Sequence, residues 1–375
     1  MPGPDRLELS AAAAVRPPVD RIVAGVARRE QQGFDAVWWA DHLLHWFPTS
    51  IWSQDLVPQA AATPSPHVWL DPFPVAATAA TATSSVKLGV GVTDLVRRHP
   101  AALAQTALTM DHLTGGRFLL GVGTGESLNL APIGLDNDRP LSRLREGLQI
   151  IRRLFDSPEA IDHDGEFFTL RGAAVGLRPL EGGPPPLWLA AHRPRVLALA
   201  GEVADGWLPL TTDPRRYAEW WSVVRGSAQA AGRADRVTPG LYARVLPAPT
   251  RQAAEDAIDG SLLLRFIALT LPDEVFVAHG AEHPLGRGAF GLTSFVPTAI
   301  GREEALRLAE GVPEGVLRDT VIHGTPDDVA ARLGEFADAG ARHIQLANLT
   351  PLADPALAAE SEGLLGDVVT AVRAA

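Results

Sequence analysis

Residues 120–129, L-G-V-G-T-G-E-S-L-N, close an apolar strand with a glycine-rich turn and then present the carboxylate of Glu126. Glycine accepts backbone angles that other residues avoid, and a turn without side chains exposes its N–H groups to a ligand. The stretch predicts a cofactor pocket at the end of this strand. An ordinary strand-to-helix turn would have the same sequence, so the interpretation depends on the rest of the chain.

The order of elements around this stretch recurs along the chain. Alanine-rich amphipathic segments are predicted to be helices that end at a glycine and lead into a short apolar strand: residues 19–32 end at Gly33, 101–114 at Gly115, 195–200 at Gly201 and 326–339 at Gly340. The pattern predicts eight strands, at residues 6–15, 34–41, 86–93, 118–122, 187–191, 205–210, 237–246 and 342–349. Eight strands separated by helices favour an α/β fold of the (β/α)8 TIM barrel type over an open doubly wound sheet.

Polar motifs follow the predicted strands at their carboxyl ends, which is the rim where TIM-barrel active sites lie. These motifs are Asp41-His42, Thr93-Asp94, Gly123 to Glu126, and Ala191-His192-Arg193. Because all of them reach the same rim in a barrel, the motifs support this fold and predict one site there.

Three stretches exceed a minimal barrel and are predicted to be insertions at the carboxyl-terminal rim of a single domain, 1–375. They lie at about residues 43–70, 156–183 and 247–313. The first is rich in tryptophan, phenylalanine, proline and serine. Its apolar side chains either pack on the barrel or line an apolar substrate pocket.

The composition is that of a globular protein, with 375 residues of which 46% are hydrophobic and 21% charged. No apolar run is long enough to cross a bilayer and no leader with a cleavage site is evident, so we expect a cytoplasmic protein without membrane insertion. A net charge of −11 argues against a nucleic-acid partner. Local arginine pairs, Arg97-Arg98 and Arg193 with Arg195, could still bind an anion.

Several enzyme classes are disfavoured by residue type. The chain has no cysteine, which removes thiol nucleophiles and thiolate metal sites, and its one lysine, Lys87, lies inside a predicted strand, which disfavours Schiff-base chemistry. Glu126 stands where a G-x-G-x-x-G fingerprint needs its third glycine, and a carboxylate there would repel a pyrophosphate. His42 and His45 lack the spacing of zinc barrels, so we expect no metal site.

His42 is the main candidate for proton transfer. A lone histidine is more often part of a packed core, but this one stands just past a strand end, beside Asp41 and close to the aromatic side chain of Trp46. As a general acid or base it would contribute about 10²- to 10⁴-fold in rate. His45 is expected to serve packing.

Motifs over nearly the whole chain resemble those of one superfamily. They are D-H-x-x-x-W at 41–46, V-G-V-T-D-L-V-R-R-H-P-A at 90–101, G-V-G-T-G-E at 121–126, L-A-A-H-R-P at 189–194, A-D-G-W at 204–207, E-H-P-L-G at 282–286 and G-T-P-D-D-V at 324–329. The sequence resembles the luciferase-like flavin and deazaflavin barrels. Within them it is most similar to the branch that uses the deazaflavin coenzyme F420, which includes phthiodiolone dimycocerosate ketoreductase-like proteins.

The resemblance implies roles for the matching residues. His42 matches the residue that exchanges a proton with the substrate oxygen, Trp46 the aromatic beside the reacting carbon, and Glu126 a carboxylate near the deazaflavin ring. Cofactor contacts are implied for Asp41, Gly91, Val92, Thr124, Gly125, Glu126, Asn129, Ala191, His192 and Arg193. The family often has a non-proline cis peptide at the position of Gly91-Val92. The phosphate tail of its deazaflavin cofactor meets the residues that match 191–193.

The resemblance therefore implies an F420-dependent oxidoreductase that transfers a hydride between the reduced deazaflavin and a carbonyl carbon. Related sugar-phosphate dehydrogenases have a lysine after the sixth strand, which L-T-T-D-P at 210–214 lacks. Together with the apolar stretch 43–70, this favours a small hydrophobic ketone or alcohol as substrate. The alternatives are an FMN-dependent luciferase-like monooxygenase and a non-catalytic deazaflavin-binding protein. A homodimer is also implied.

Overall fold

The computed structural model describes residues 6–374. Its strands, in chain order, are β1 (Glu8–Ala12), β2 (Ala36–Trp39), β3 (Lys87–Asp94), β4 (Phe118–Gly123), β5 (Ile161–Asp164), β6 (Thr169–Ala173), β7 (Leu187–Leu189), β8 (Gly206–Trp207), β9 (Thr238–Pro247), β10 (Ile322–Gly324) and β11 (His343–Asn348). Parallel pairing runs through β1, β2, β3, β4, β7, β8, β9 and β11, and β11 pairs with β1 to close the cylinder. This confirms the predicted (β/α)8 barrel. The short strand β10 pairs with the carboxyl end of β9.

The helices surround this cylinder or cover its opening. In chain order they are α1 (Val19–Gln31), α2 (Pro72–Ala80), α3 (Pro100–Thr114), α4 (Ser127–Leu130), α5 (Pro140–Asp156), α6 (Pro194–Val203), α7 (Pro214–Ala230), α8 (Arg251–Gly260), α9 (Leu262–Ala268), α10 (Asp273–Ala278), α11 (Gly291–Ser294), α12 (Arg302–Glu310), α13 (Glu314–Arg318), α14 (Pro326–Asp338), α15 (Thr350–Ala353) and α16 (Ala358–Ala374). Short 3-10 turns lie at Thr49–Ile51, Pro58–Ala61, Ala131–Ile133, Pro297–Ala299 and Pro355–Leu357. Among residues 6–374, no helix combines the length and the apolar character needed to cross a membrane.

Local sequence signals set most helix ends. Helix α3 begins at a proline and ends at Gly115, whose φ of 66° is the left-handed value that favours glycine. Helix α14 begins with a capping box between Thr325 and Asp328. The helix predicted to end at Gly201 continues to Val203 instead. Gly201 serves packing, because a Cβ there would lie 2.2 Å from the Val224 carbonyl oxygen of α7.

The lower part of the barrel interior holds a closed polar network, here called the barrel floor: Glu8, Ser10, Trp38, Lys87 and His343. His343 Nδ1 lies 3.0 Å from a Glu8 carboxylate oxygen, and its Nε2 lies 2.8 Å from Ser10 Oγ and 3.2 Å from the Trp38 indole nitrogen, which donates to it. Lys87 Nζ donates to the other Glu8 oxygen at 2.8 Å. Although burial raises the pKa of Glu8, its bonds to His343 and Lys87 lower it to about 2.

The third insertion forms a compact layer of helices, α8 to α13, here called the helical layer. Its apolar side chains make a core separate from the one between barrel strands and outer helices. Phe47, Ile51 and Val57 from the first insertion are buried in this second core. Several apolar side chains of residues 43–70 therefore pack against the helical layer. The sequence analysis considered only the barrel and a substrate pocket as their surroundings.

The second insertion contains a small antiparallel sheet. Residues 161–173 form the antiparallel hairpin of β5 and β6, which packs along the outside of α5. Glu146 of α5 accepts hydrogen bonds from the backbone N–H groups of Glu166, Phe167 and Phe168 in the hairpin turn. This segment connects the carboxyl end of α5 to β7.

Candidate functional site

The predicted residues meet at the carboxyl-terminal opening of the barrel, here called the barrel mouth. His42 follows β2, Thr93 lies near the end of β3, and the turn 124–126 follows β4. The His42 ring packs edge-on against Trp46, with ring centroids 5.1 Å apart, and is stacked on Trp69 at 4.9 Å. Burial, reinforced by the charge of Arg97, lowers the pKa of His42 to about 4. The imidazole is therefore neutral at pH 7.

Asn129 of α4 determines which nitrogen of His42 carries the proton. Its Oδ1 accepts from the backbone N–H groups of Leu43 and Leu44 at 2.8 and 3.3 Å, which fixes the orientation of the amide. Its Nδ2 then donates to His42 Nδ1 at 3.0 Å. Neutral His42 consequently carries its proton on Nε2. Asn129, predicted as a cofactor contact, holds the catalytic candidate in this structure.

Glu126 lies beside the same pair. Its Oε2 is 3.6 Å from His42 Nδ1 and 3.5 Å from Asn129 Nδ2. Burial raises the pKa of Glu126 to about 7, with Asp94 adding to the effect and Arg97 opposing it. An acid and an imidazole of different pKa therefore lie side by side, as in sites built for proton transfer.

Asp41 is occupied by protein partners. Its carboxylate accepts from Thr93 Oγ1 at 2.6 Å, from Arg98 Nε at 2.9 Å and from Arg97 Nη1 at 3.3 Å. Burial raises the pKa of Asp41, but the Arg98 hydrogen bond and the Arg97 charge hold it below its usual value. Arg97 also pairs with Asp94 at 2.6 Å. The Arg97-Arg98 pair, considered as an anion site, is thus neutralised and holds the His42 loop in place.

The glycines at the end of β4 and in the turn that follows it have two different roles. The Gly91–Val92 peptide is cis, and the Val92 side chain lies over the neighbouring strand. A Cβ at Gly121 or Gly123 would come within 2.9 Å of the Val92 methyl groups. These two glycines therefore make room for Val92 rather than for a ligand. Only Gly125, with a φ of 86°, needs glycine for its backbone angle.

The segment 191–193 lies at the start of α6. His192 Nε2 accepts from the Leu210 backbone N–H at 2.9 Å, so the ring holds the loop that follows β8. Burial lowers the pKa of His192 to about 4, and the ring is therefore neutral. The Ala191 carbonyl accepts from the Trp207 indole at 3.0 Å. Arg193 is exposed, and its guanidinium lies 5.8 Å from the Phe290 ring centroid. The backbone and Arg193, more than the His192 ring, can meet an anion here.

Several buried polar atoms at the barrel mouth have no hydrogen-bond partner within residues 6–374. They are the indole nitrogens of Trp46 and Trp69, Nη1 of Arg244 and Oε1 of Gln345. Sequence reasoning gave no role to Arg244 or Gln345, and it treated Trp69 only as one of the apolar side chains of residues 43–70 that pack or line a pocket. A signal was present for Arg244, because a charged residue at an inward position of a buried strand is uncommon without a partner.

Two surface clefts are distinct from this site. One, of about 460 Å³, lies among α5, α6 and the hairpin, and the other, of about 250 Å³, borders α8, α9 and α15. None of the predicted site residues lines either cleft. The barrel mouth, not these clefts, brings the predicted residues together.

The sequence matches known proteins over most of its length. The luciferase-like monooxygenase family matches residues 4–343. A phthiodiolone/phenolphthiodiolone dimycocerosates ketoreductase of Mycobacterium sp. (strain JLS) is 36% identical over 325 residues, which cover 84% of each chain. A 5,10-methylenetetrahydromethanopterin reductase of Archaeoglobus fulgidus is 30% identical over 263 residues, covering 70% of this chain and 76% of the relative.

Solved structures share the fold. An F420-dependent secondary alcohol dehydrogenase in complex with an F420-acetone adduct superposes with a TM-score of 0.76 at 20% identity, covering 98% of this chain and 99% of the other. The coenzyme F420-dependent tetrahydromethanopterin reductase of Methanopyrus kandleri gives a TM-score of 0.73 at 22% identity, with coverage of 97% and 99%. At these identities the likeness establishes the barrel architecture.

Proposed function

The chain belongs to the luciferase-like monooxygenase family, and on that basis we propose that it is a coenzyme F420-dependent oxidoreductase acting on a hydrophobic ketone or the corresponding alcohol. The observation that carries the proposal is the His42 ring, held between Trp46 and Trp69 with its Nδ1 bonded to Asn129. Relatives named as a ketoreductase and as a methylenetetrahydromethanopterin reductase support this class of reaction.

The barrel mouth fits a flat, anionic cofactor. The backbone N–H groups of Gly125 and Glu126 make no hydrogen bond within residues 6–374, and Gln345 Oε1 is a buried acceptor without a donor. Exposed Arg193 at the start of α6 offers positive charge and a helix amino terminus to a phosphate. We propose that residues 91–92, 124–126 and 191–193 hold the deazaflavin, which supplies the hydride when bound.

In this proposal His42 directs its Nε2–H toward the substrate oxygen. A neutral imidazole can polarise a carbonyl by this hydrogen bond, but it can release the proton fully only if Nδ1 gains another. Glu126 is the acid in range, since its Oε2 is 3.6 Å from Nδ1 and its pKa is about 7. During ketone reduction the Nε2 proton would move to the oxygen, and Glu126 would protonate Nδ1 once the Asn129 amide has moved off that nitrogen. Alcohol oxidation would reverse both transfers.

Aromatic side chains favour an apolar substrate. Trp46 and Trp69 flank His42, and their unpartnered indole N–H groups can donate to an oxygen that develops negative charge. The helical layer covers this side of the mouth, where Ser127 donates to the Thr293 carbonyl. Exclusion of water by these groups would protect the hydride and strengthen the hydrogen bonds to the substrate.

The proposal also covers the protein as a whole. We propose one barrel domain over residues 1–375 that acts as a cytoplasmic homodimer, as the family resemblance implies. Sedimentation of the purified protein at micromolar concentration tests the dimer, and a monomer would remove that part of the proposal alone.

Cofactor titration followed by turnover tests the function. We expect coenzyme F420 to quench the tryptophan fluorescence at concentrations where FMN does not. We also expect a medium-chain ketone to oxidise reduced F420, seen as a rise in the absorbance of the oxidised deazaflavin. Binding of FMN alone would favour the monooxygenase alternative. Binding of reduced F420 without its oxidation by ketones, and of oxidised F420 without its reduction by alcohols, would favour a non-catalytic binding protein.

A further inference from the structure

Arg244 is a buried cation inside the barrel. It lies on β9 two residues beyond Tyr242, which packs against the inward-facing Trp38, Trp188 and Leu208, so Arg244 points inward one step closer to the mouth. Its residue exposure is 4%. Its Nη2 donates to Thr270 Oγ1 of the helical layer at 2.9 Å, and that hydroxyl donates in turn to the Ile267 carbonyl at 2.6 Å.

The charge of Arg244 has no direct counter-ion. No carboxylate lies within ion-pair distance of its guanidinium in residues 6–374, and its buried Nη1 has no hydrogen-bond partner. Burial lowers the pKa of Arg244, but an arginine side chain stays protonated in proteins. A buried charge without a partner destabilises the free protein, and a bound anion would relieve that cost. Arg97, in contrast, has two carboxylates as partners, those of Asp41 and Asp94.

Arg244 lies near the carboxyl end of β9, and the carboxyl ends of β2 and β4 carry His42 and Glu126 at the same opening of the barrel. The charge of Arg244 acts on Glu126 and on His192, lowering the pKa of both. Glu126 in turn lies next to His42. An anion bound at Arg244 Nη1 would therefore lie at the same end of the barrel as a substrate oxygen at His42.

We propose that Arg244 binds a carboxylate of the substrate, so that the enzyme acts on an oxo acid or hydroxy acid with an apolar chain. This inference rests on the proposed function and narrows its substrate class. A carboxylate supplies the missing counter-ion and accepts from Nη1, whereas a neutral ketone leaves the charge unpaired. Its negative charge also favours protonated Glu126, the form that ketone reduction needs.

The cofactor phosphate is the other source of an anion. Its proposed contacts, 191–193, start α6 and include an exposed arginine, while Arg244 is enclosed between the barrel interior and Thr270 of the helical layer. We therefore assign Arg244 to the substrate carboxylate, and measuring hexanoate and F420 affinities separately distinguishes this carboxylate from the cofactor phosphate.

Binding to the F420-loaded protein tests the assignment without turnover. Tryptophan fluorescence would follow titration with hexanoate and, as a neutral match, hexan-2-one. We expect hexanoate to bind the native protein about 10- to 100-fold tighter than hexan-2-one, and Arg244→Met to remove that preference while changing hexan-2-one affinity by less than about threefold. Equal affinities in the native protein, or an equal loss for both probes in the variant, would overturn it.

Two controls keep the result interpretable. The affinity of the protein for F420 is measured in native protein and in Arg244→Met, and a tenfold loss there with unchanged hexanoate preference would assign Arg244 to the cofactor and overturn the proposal. Turnover of 2-oxohexanoate against hexan-2-one is measured alongside. Absence of turnover with both, together with Arg244-dependent hexanoate binding, would refute the oxidoreductase and leave the carboxylate site in place.

Discussion

The floor and the mouth of the barrel contain similar polar side chains, but their hydrogen bonding differs. At the floor, both nitrogens of His343 are bonded and Glu8 has partners on both oxygens. At the mouth, His42 has one bonded nitrogen, and the indole N–H groups of Trp46 and Trp69 have no acceptor. Because buried polar groups are normally paired, donors without acceptors at the mouth indicate where a ligand completes the structure.

The largest expected effect comes from removing the ring at the mouth. We expect His42→Ala to lower kcat for ketone reduction by about 10²- to 10⁴-fold, because the substrate oxygen loses its proton donor. F420 affinity should change by less than about threefold, since the proposed ring contacts are elsewhere. Stopped-flow absorbance of the oxidised F420 that forms measures kcat, and fluorescence titration measures the F420 affinity. His323→Ala, which removes a histidine bonded only to the Val321 carbonyl, should leave both unchanged.

The same change at the floor should act on stability instead. His343→Ala leaves Glu8 and the Trp38 indole without their buried partner, and we expect it to reduce the free energy of unfolding by about 3 kcal/mol. Urea denaturation followed by circular dichroism measures this, and Ser10→Ala, which removes one hydroxyl from the network, should cost about 1 kcal/mol. A His343→Ala protein as stable as the native one would show that the floor network does not support the fold.

Two arginines sharpen the comparison further. Arg117 donates to the carbonyls of Thr114, Val86 and Thr83, so Arg117→Met should reduce the free energy of unfolding by about 2 kcal/mol. Arg244→Met removes an unpaired charge and should leave stability unchanged or raise it by about 1 kcal/mol. Thermal unfolding of the two variants gives the difference. Equal destabilisation would mean that Arg244 already has an adequate partner in the free protein.

The smallest effect is on the pH dependence of the reaction. Ketone reduction needs the protonated form of Glu126, whose pKa is about 7, so its kcat should be constant below pH 7 and fall by about tenfold per pH unit above it. Alcohol oxidation needs the carboxylate and should show the opposite trend. Glu126→Gln should flatten both profiles between pH 6 and about 9. A native profile identical to that of Glu126→Gln would rule out Glu126 as the proton source.

The periodic parts of the chain predict the barrel well. The helices that stop at Gly33, Gly115 and Gly340 lead into the expected strands, because a left-handed glycine and an apolar run are local signals. The same rule predicts a helix end at Gly201, but this residue lies inside α6. A glycine is needed there because the backbone of α7, about 23 residues further on, lies too close for a side chain. A close approach between helices leaves no mark in the local sequence that distinguishes it from a helix end.

The candidate site shows the same limit. The sequence pattern brings His42, Glu126 and Asn129 to one rim, and they are within hydrogen-bonding range or close to it in the structure. The pattern could not show that Asn129 holds His42, or that Arg97 and Arg98 neutralise Asp41, because these contacts join side chains far apart in sequence. Which buried donors stay unpartnered is a property of the folded interior, so Trp69 and Arg244 required coordinates.

The shared core of residues 43–70 and the helical layer has a consequence for exchanging parts between relatives. Phe47, Ile51 and Val57 anchor the loop that follows His42 in a core built from helices some 200 residues later in the chain. A chimera that imports only the later helices would leave this loop without matching anchors and displace the histidine. Substrate range should therefore be transferable only when both segments are exchanged as one cassette.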